Sequence, residues 1–112
     1  MARPQRCRRI CTMPEHRRFM PEGAGGDCPV VLTLDEYESI RLMDYAGITH
    51  ERCAEVMQVS RTTVTEIYAA ARRKLATAIA EGRGLTIEGG SVRLCDHSDP
   101  CGLCGTNPKV NA

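Results

Sequence analysis

Between Thr33 and Gly82 the chain carries three helix-start signals and two glycine stops, and this punctuation constrains the fold more than any other feature. Thr33-Leu34-Asp35-Glu36 reads as a capping box, with Thr33 as N-cap and Glu36 reaching back to its amide. Leu34, Tyr37, Ile40 and Met43 then recur at helical spacing, and Gly47 suits a left-handed stop. Thr49 caps a second, short helix to about Met57, with Cys53, Ala54 and Met57 inward. Gln58-Val59 makes a tight turn, and Ser60 caps a long third helix to about Glu81.

Outside this block the pattern changes. Residues 13–31 are rich in proline and glycine and read as a loop, while Arg8-Arg9-Ile10-Cys11 suits a short strand. After Gly84, Leu85, Ile87, Val92 and Leu94 alternate around Gly89-Gly90, a two-residue turn signal for a β-hairpin. The expected fold is therefore mainly α: a three-helix domain with a short β-hairpin, three-stranded if the arm joins it, and a cysteine-rich tail from Cys95. The expected organisation is a basic arm and Gly/Pro loop at 1–31, the helical domain at 32–83, and hairpin and tail at 84–112, packed with the arm as one unit. A chain of 112 residues leaves room for one compact domain. The helical core of Leu34, Ile40, Val64 and Leu75 is expected to stand independently of the tail.

Several function classes fall away on composition. One Phe, three Tyr and no Trp argue against a large pocket for a flat organic cofactor. No paired carboxylates, glycine-rich phosphate loop or Ser/His/Asp set suggests catalysis, so the chain is not expected to be an enzyme. No apolar run nears the ~20 residues of a membrane span, and no apolar stretch follows the basic N-terminus, so a cytoplasmic location is expected. The formal net charge of +1 says little, but its distribution is segregated. Arg3, Arg6, Arg8, Arg9, Arg17 and Arg18 lie in the first twenty residues, and acids dominate 21–51. Such polarity steers one face of a molecule towards phosphate.

A short helix, a tight turn and a longer helix describe the DNA-reading helix-turn-helix. Ala54 is small where the two helices approach, Val59 plugs the turn, and Val64, Tyr68, Ala71 and Leu75 stripe the long helix. Arg61, Thr62, Thr63, Thr65 and Glu66 remain on its first turns, with hydroxyls and a guanidinium suited to base edges or phosphates. The bland reading is that any small bundle has polar first turns. Arg3 and Arg6 on the arm suit a minor groove, or else a solvated tail. Arg72, Arg73 and Lys74 suit phosphate contact, or else a solvated face.

Val59-Ser60-Arg61-Thr62-Thr63-Val64, with Ala71-Arg72-Arg73-Lys74-Leu75, resembles the region-4 helix-turn-helix of sigma factors. Met1-Ala2-Arg3-Pro4, Leu32-Thr33-Leu34-Asp35-Glu36-Tyr37-Glu38, Ile40-Arg41-Leu42 and Leu85-Thr86-Ile87-Glu88-Gly89-Gly90 resemble the UPF0251 (DUF134) family of small prokaryotic predicted DNA-binding proteins. The resemblance spans about residues 1–90. It implies a small regulator-like protein that binds DNA, without supplying a target.

Seven cysteines is an odd number for disulfides, and cytosolic thiols stay reduced, so clustered cysteines point to metal or redox sensing. Cys53, on the inward face of the short helix, reads as a small buried hydrophobe. Cys101-Gly102-Leu103-Cys104 can aim two thiolates at one ion, and Cys95 and His97 lie within ten residues. If the arm pairs with the hairpin, Cys7 or Cys11 comes beside Cys95. Both cannot serve one ion from a straight strand, because four residues span ~13 Å. Cys28 is a further candidate, and His97, at i+2 from Cys95, an awkward one. The expected cofactor is zinc, with an iron–sulfur cluster as the alternative.

The leading expectation is a sequence-specific regulator of double-stranded DNA, working as a homodimer because one unit reads a half-site. One alternative is an interaction protein whose acidic first helix, with Asp35, Glu36, Glu38 and Asp44, docks on RNA polymerase. A thiol oxidoreductase centred on Cys101 and Cys104 is the third reading, without the βαβ scaffold that such chemistry favours.

Overall fold

A computed structural model of the chain describes residues 8–23 and 28–95. Strands β1 (Arg8–Ile10), β2 (Arg18–Phe19) and β3 (Val30–Leu32) precede helix α1 (Leu34–Ile40), which widens into a π-helical turn at Arg41–Tyr45. Helices α2 (His50–Met57) and α3 (Arg61–Glu81) follow, then β4 (Leu85–Ile87) and β5 (Val92–Leu94).

The helix boundaries follow the local punctuation. Glu36 accepts the Thr33 N–H at 2.9 Å, as a capping box requires. Thr49 accepts the Arg52 N–H at 3.1 Å and Ser60 the Thr63 N–H at 3.1 Å. Gly82 ends α3 in the left-handed region at φ 64°. The turn between α2 and α3 uses the same conformation without a glycine: Gln58 sits at φ 57° and sends its N–H back to α2. The Val59 N–H reaches the Ala54 carbonyl at 3.0 Å, so the chain reverses within three residues.

The strands depart from expectation, and the fold is mixed α/β rather than mainly α. Val92–Leu94 does not fold back on Leu85–Ile87 as a hairpin. β5 pairs in parallel with β1, while β4 pairs antiparallel with β2 and parallel with β3. Two small sheets result, ordered β1-β5 and β2-β4-β3. The segment read as a Gly/Pro loop thus contributes β2 and β3. Gly89 and Gly90 do take positive φ, at 80° and 98°, but they carry the chain from one sheet to the other over the start of α1. There the Gly89 carbonyl accepts the Leu34 N–H at 2.9 Å, satisfying a donor that the helix itself leaves open. A Cβ on Gly90 would lie 2.9 Å from Asp35 Oδ1, so the crossing needs glycine for space as well as for φ.

The apolar side chains form two clusters, not one. Ile10, Val30, Leu32, Leu34, Ala71, Ala78, Leu85 and Ile87 join the sheets to α1 and the later turns of α3. Leu42, Cys53, Ala54, Val56, Met57, Val64 and Ile67 join the π-turn, α2 and the early turns of α3, and Cys11 and Cys95 belong with them. The expectation of a helical core independent of the chain ends is therefore corrected. Residues next to both strands of the β1-β5 sheet help to build the cluster beneath α2 and the early turns of α3.

Candidate nucleic-acid interface

The buried stripe of α3 (Val64, Ile67, Ala71, Ala78) leaves an opposite face in solvent. Thr62, Thr65, Glu66, Ala69, Arg73 and Ala76 occupy it at helical spacing, all exposed. Small side chains run along its centre. Arg61, also exposed, stands at the N-terminal end and forms an ion pair with Glu51 of α2 at 3.1 Å. Thr63 is the half-buried exception among the predicted contacts: its N–H and hydroxyl are both taken up by Ser60. The Thr65 hydroxyl donates to the Arg61 carbonyl at 3.0 Å, which leaves its oxygen lone pairs outward.

Further along α3 the basic run divides. Lys74 Nζ reaches Glu36 Oε1 at 2.7 Å and ties α3 to the start of α1. Arg72 lies over the Tyr68 ring, 5.3 Å from its centroid, and 3.6 Å from Asp44. Tyr68 donates its hydroxyl to Asp44, a bond that raises the phenol pKa. His50 meets the same ring edge-on at 5.7 Å. This surface cluster joins the π-turn, α2 and α3 and holds one guanidinium beside the exposed face. Sequence reading missed it because its members come from three separate elements.

The arm arginines are the second departure. Arg9 is buried and donates from Nε to the Val56 carbonyl at 2.8 Å, placing a cation at the C-terminal end of α2 where it is electrostatically favoured. Arg8 turns towards Asp35, at 3.8 Å. Both are structural. Arg3 and Arg6 lie outside the described residues.

The acidic face of the first helix is likewise turned inward. Asp35, Glu36 and Glu38 are buried, against Arg8, Lys74 and Arg41 respectively. Of the four acids expected to form a docking face, only Asp44 is exposed, and Tyr68 and Arg72 engage it.

Among the thiols, Cys11 and Cys95 are buried in the cluster that contains α2, whereas Cys28 is exposed. The Cys28 carbonyl accepts the Arg83 Nε–H at 2.9 Å, which places that residue by the C-terminal end of α3. Cys7, His97, Cys101 and Cys104 lie outside the described residues. Among the described residues, no group of three or more His, Cys, Asp or Glu side chains is arranged to hold a metal ion.

Cys53 is fully buried and donates to the Met57 sulfur at 3.8 Å. Burial, with the Glu38 carboxylate adding to it and Arg41 opposing, pushes its thiol from 9.0 up to about 12. An unfolded thiol ionises near its ordinary value while the folded one keeps its proton, so alkali favours the unfolded chain. The stabilisation is whole below pH 9.0 and declines as pH rises towards about 12. Cys53→Ala should flatten this alkaline limb, measured by urea unfolding at increasing pH. An identical slope in both proteins would show that Cys53 does not hold its proton.

No described helix is long and apolar enough to cross a membrane. The family described as "Protein of unknown function DUF134" matches residues 1–95. A UPF0251 protein of Desulfitobacterium hafniense (strain DSM 10664 / DCB-2) is 51% identical over 98 residues, covering 86% of this chain and 78% of that one. One from Halothermothrix orenii is 42% identical over 112 residues, covering 98% and 83%. One from Pelotomaculum thermopropionicum is 42% identical over 107 residues, covering 94% and 81%. No solved structure matches the chain. By the match across most of its length and by these relatives, the chain belongs to the DUF134 family, whose relatives named here are called UPF0251 proteins.

Proposed function

We propose that this protein binds double-stranded DNA sequence-specifically and acts as a transcriptional regulator, with the first turns of α3 as the reading surface. The observation that supports this most is the exposed face of α3, where Thr62, Thr65 and Ala69 lie between Arg61 and Arg72 on one side and Arg73 on the other. An α-helix with its side chains is ~10–12 Å across and the major groove ~12 Å wide, so small central residues let the helix seat deeply. The flanking guanidiniums then lie where the phosphate ridges would be. The tight turn at Gln58 and the packing of α2 on α3 hold that face in place, as a helix-turn-helix requires. One chain presents one such face, so a full site is two half-sites about 34 Å apart read by two copies.

The test begins with selection of a preferred duplex from a random pool, followed by fluorescence anisotropy on that duplex and on random sequence. Affinity should fall steeply with salt, since phosphate contacts release counterions. Arg61→Ala should lose about 1–3 kcal/mol of discrimination at one base pair if Arg61 reads a guanine. If Arg61 holds a phosphate instead, both duplexes should weaken alike. Unchanged affinity for both would remove Arg61 from the interface. Failure of the wild-type protein to bind any duplex at low salt would overturn the reading.

A further inference from the structure

Near its C-terminal end α3 borders an exposed apolar patch. Ile79 is 82% exposed, and Phe19 and Met20, at the end of β2, are 52% and 54% exposed. Between them runs a groove of about 310 Å3, lined as well by Leu75, Ala78 and Leu85. Glycine at position 84 shapes its β2 wall: a Cβ there would lie 2.5 Å from Met20 Sδ, so only a bare backbone lets Met20 settle against it. Single exposed aliphatic residues are ordinary on a protein surface. A projecting isoleucine beside an apolar recess with a charged rim is the pattern of an interaction site.

The rim carries both signs. Arg83 lines the groove, and Glu81, its side chain 58% exposed, lies 3.2 Å from that guanidinium. A two-fold contact sets one patch against a copy of itself running the opposite way. Ile79 of each copy then enters the groove of the other, and each Glu81 meets the partner's Arg83. One surface thus supplies the projection, the recess and both charges. A partner of a single charge sign would leave Glu81 or Arg83 facing its like.

We propose that this patch is a homodimer interface, formed by a second copy of the same chain. The position of the patch also fits the reading of DNA by α3, and for this spacing argument the proposal rests on that reading. At about 100° per residue, Ile79 lies roughly a quarter-turn around α3 from the exposed stripe of Thr62, Ala69 and Ala76, so the contact flanks that stripe without covering it. Fourteen residues separate Thr65 from Ile79, about 21 Å along the helix. Two copies meeting at Ile79 therefore hold their reading turns up to about 42 Å apart with the helices end to end, and about 34 Å apart with the helix axes at an angle. A contact in the first half of α3 would bring the two reading turns too close for half-sites one turn of duplex apart.

Sedimentation equilibrium of the full-length protein, reduced and free of DNA, should show a dimer across the micromolar range. Ile79→Glu should be monomeric with unchanged circular dichroism, because the side chain is exposed and its loss costs the fold little. Ala80→Glu adds the same charge one residue on, at an exposed position on the side of α3 away from Leu75, and should stay dimeric. Glu81→Arg should raise the dimer dissociation constant about tenfold or more, since it sets a cation against the partner's Arg83. On DNA, Ile79→Glu should lose about a hundredfold in affinity for a duplex with two half-sites while holding its affinity for one half-site. Wild-type protein that is monomeric throughout would overturn the proposal, whatever else covers the groove. So would a dimer that survives Ile79→Glu, and an unchanged dissociation constant in Glu81→Arg would overturn the two-fold arrangement. A wild-type dimer that binds no duplex would overturn the DNA reading and leave this interface standing.

Discussion

Glu38→Ala should cost about 3–5 kcal/mol of stability, the range for removing one partner of a buried ion pair. Glu38 is fully buried in the middle of α1. Its carboxylate accepts from Arg41 Nε at 2.8 Å and Nη2 at 3.0 Å, and from the Cys11 N–H at 2.8 Å. Burial alone would lower the Arg41 pKa, but the hydrogen bond and charge of Glu38 outweigh it and hold it above its ordinary range. Alanine leaves a largely buried guanidinium without this counter-charge and a buried amide without its acceptor. Both losses come from the same three-way junction of β1, α1 and the π-turn. Glu38→Gln should be milder, because a carboxamide still offers one acceptor oxygen. Glu38→Ala/Arg41→Met should recover part of the loss, because no unpaired charge is left inside. Urea unfolding of the three variants checks this. A loss under about 0.5 kcal/mol for Glu38→Ala, the size of an ordinary surface change, would place Glu38 in water rather than in the core.

The second large effect is on DNA. Thr65→Glu should weaken binding to selected and random duplexes alike, by at least about tenfold, on the order of 1.4 kcal/mol. Position 65 is exposed on the proposed reading face, and a carboxylate there would confront one phosphate charge per ~1.7 Å of duplex. Ala80→Glu adds the same charge to an exposed site of the same helix, fifteen residues or about 22 Å away, and should change affinity little. Anisotropy titrations at two salt concentrations distinguish contact from net charge. Equal weakening in both variants would mean that α3 does not enter the groove by its first turns.

These two effects differ in how far they were legible from residues alone. Thr65 is identified by Ser60 capping the helix and by the apolar stripe that begins at Val64, all within one or two turns. Glu38 is not. It looks like a solvent-facing acid in an acidic helix, and its burial depends on Cys11, twenty-seven residues earlier.

What the sequence determined by itself is the local helical grammar. Thr33, Thr49 and Ser60 start helices and Gly82 stops one because a cap acts through hydrogen bonds to residues at most a turn away. Tertiary structure alone decided the strand partners and the interior charges. Gly89-Gly90 carries a correct local signal for positive φ, but β5 finds its ladder on β1 and β4 between β2 and β3, because backbone donors pair with whatever edge the packed helices bring near. For the same reason Arg9, Glu36 and Glu38, read as surface charges, are inside: each has a partner that only the folded chain brings within hydrogen-bonding distance, and without that partner burying the charge would be prohibitive.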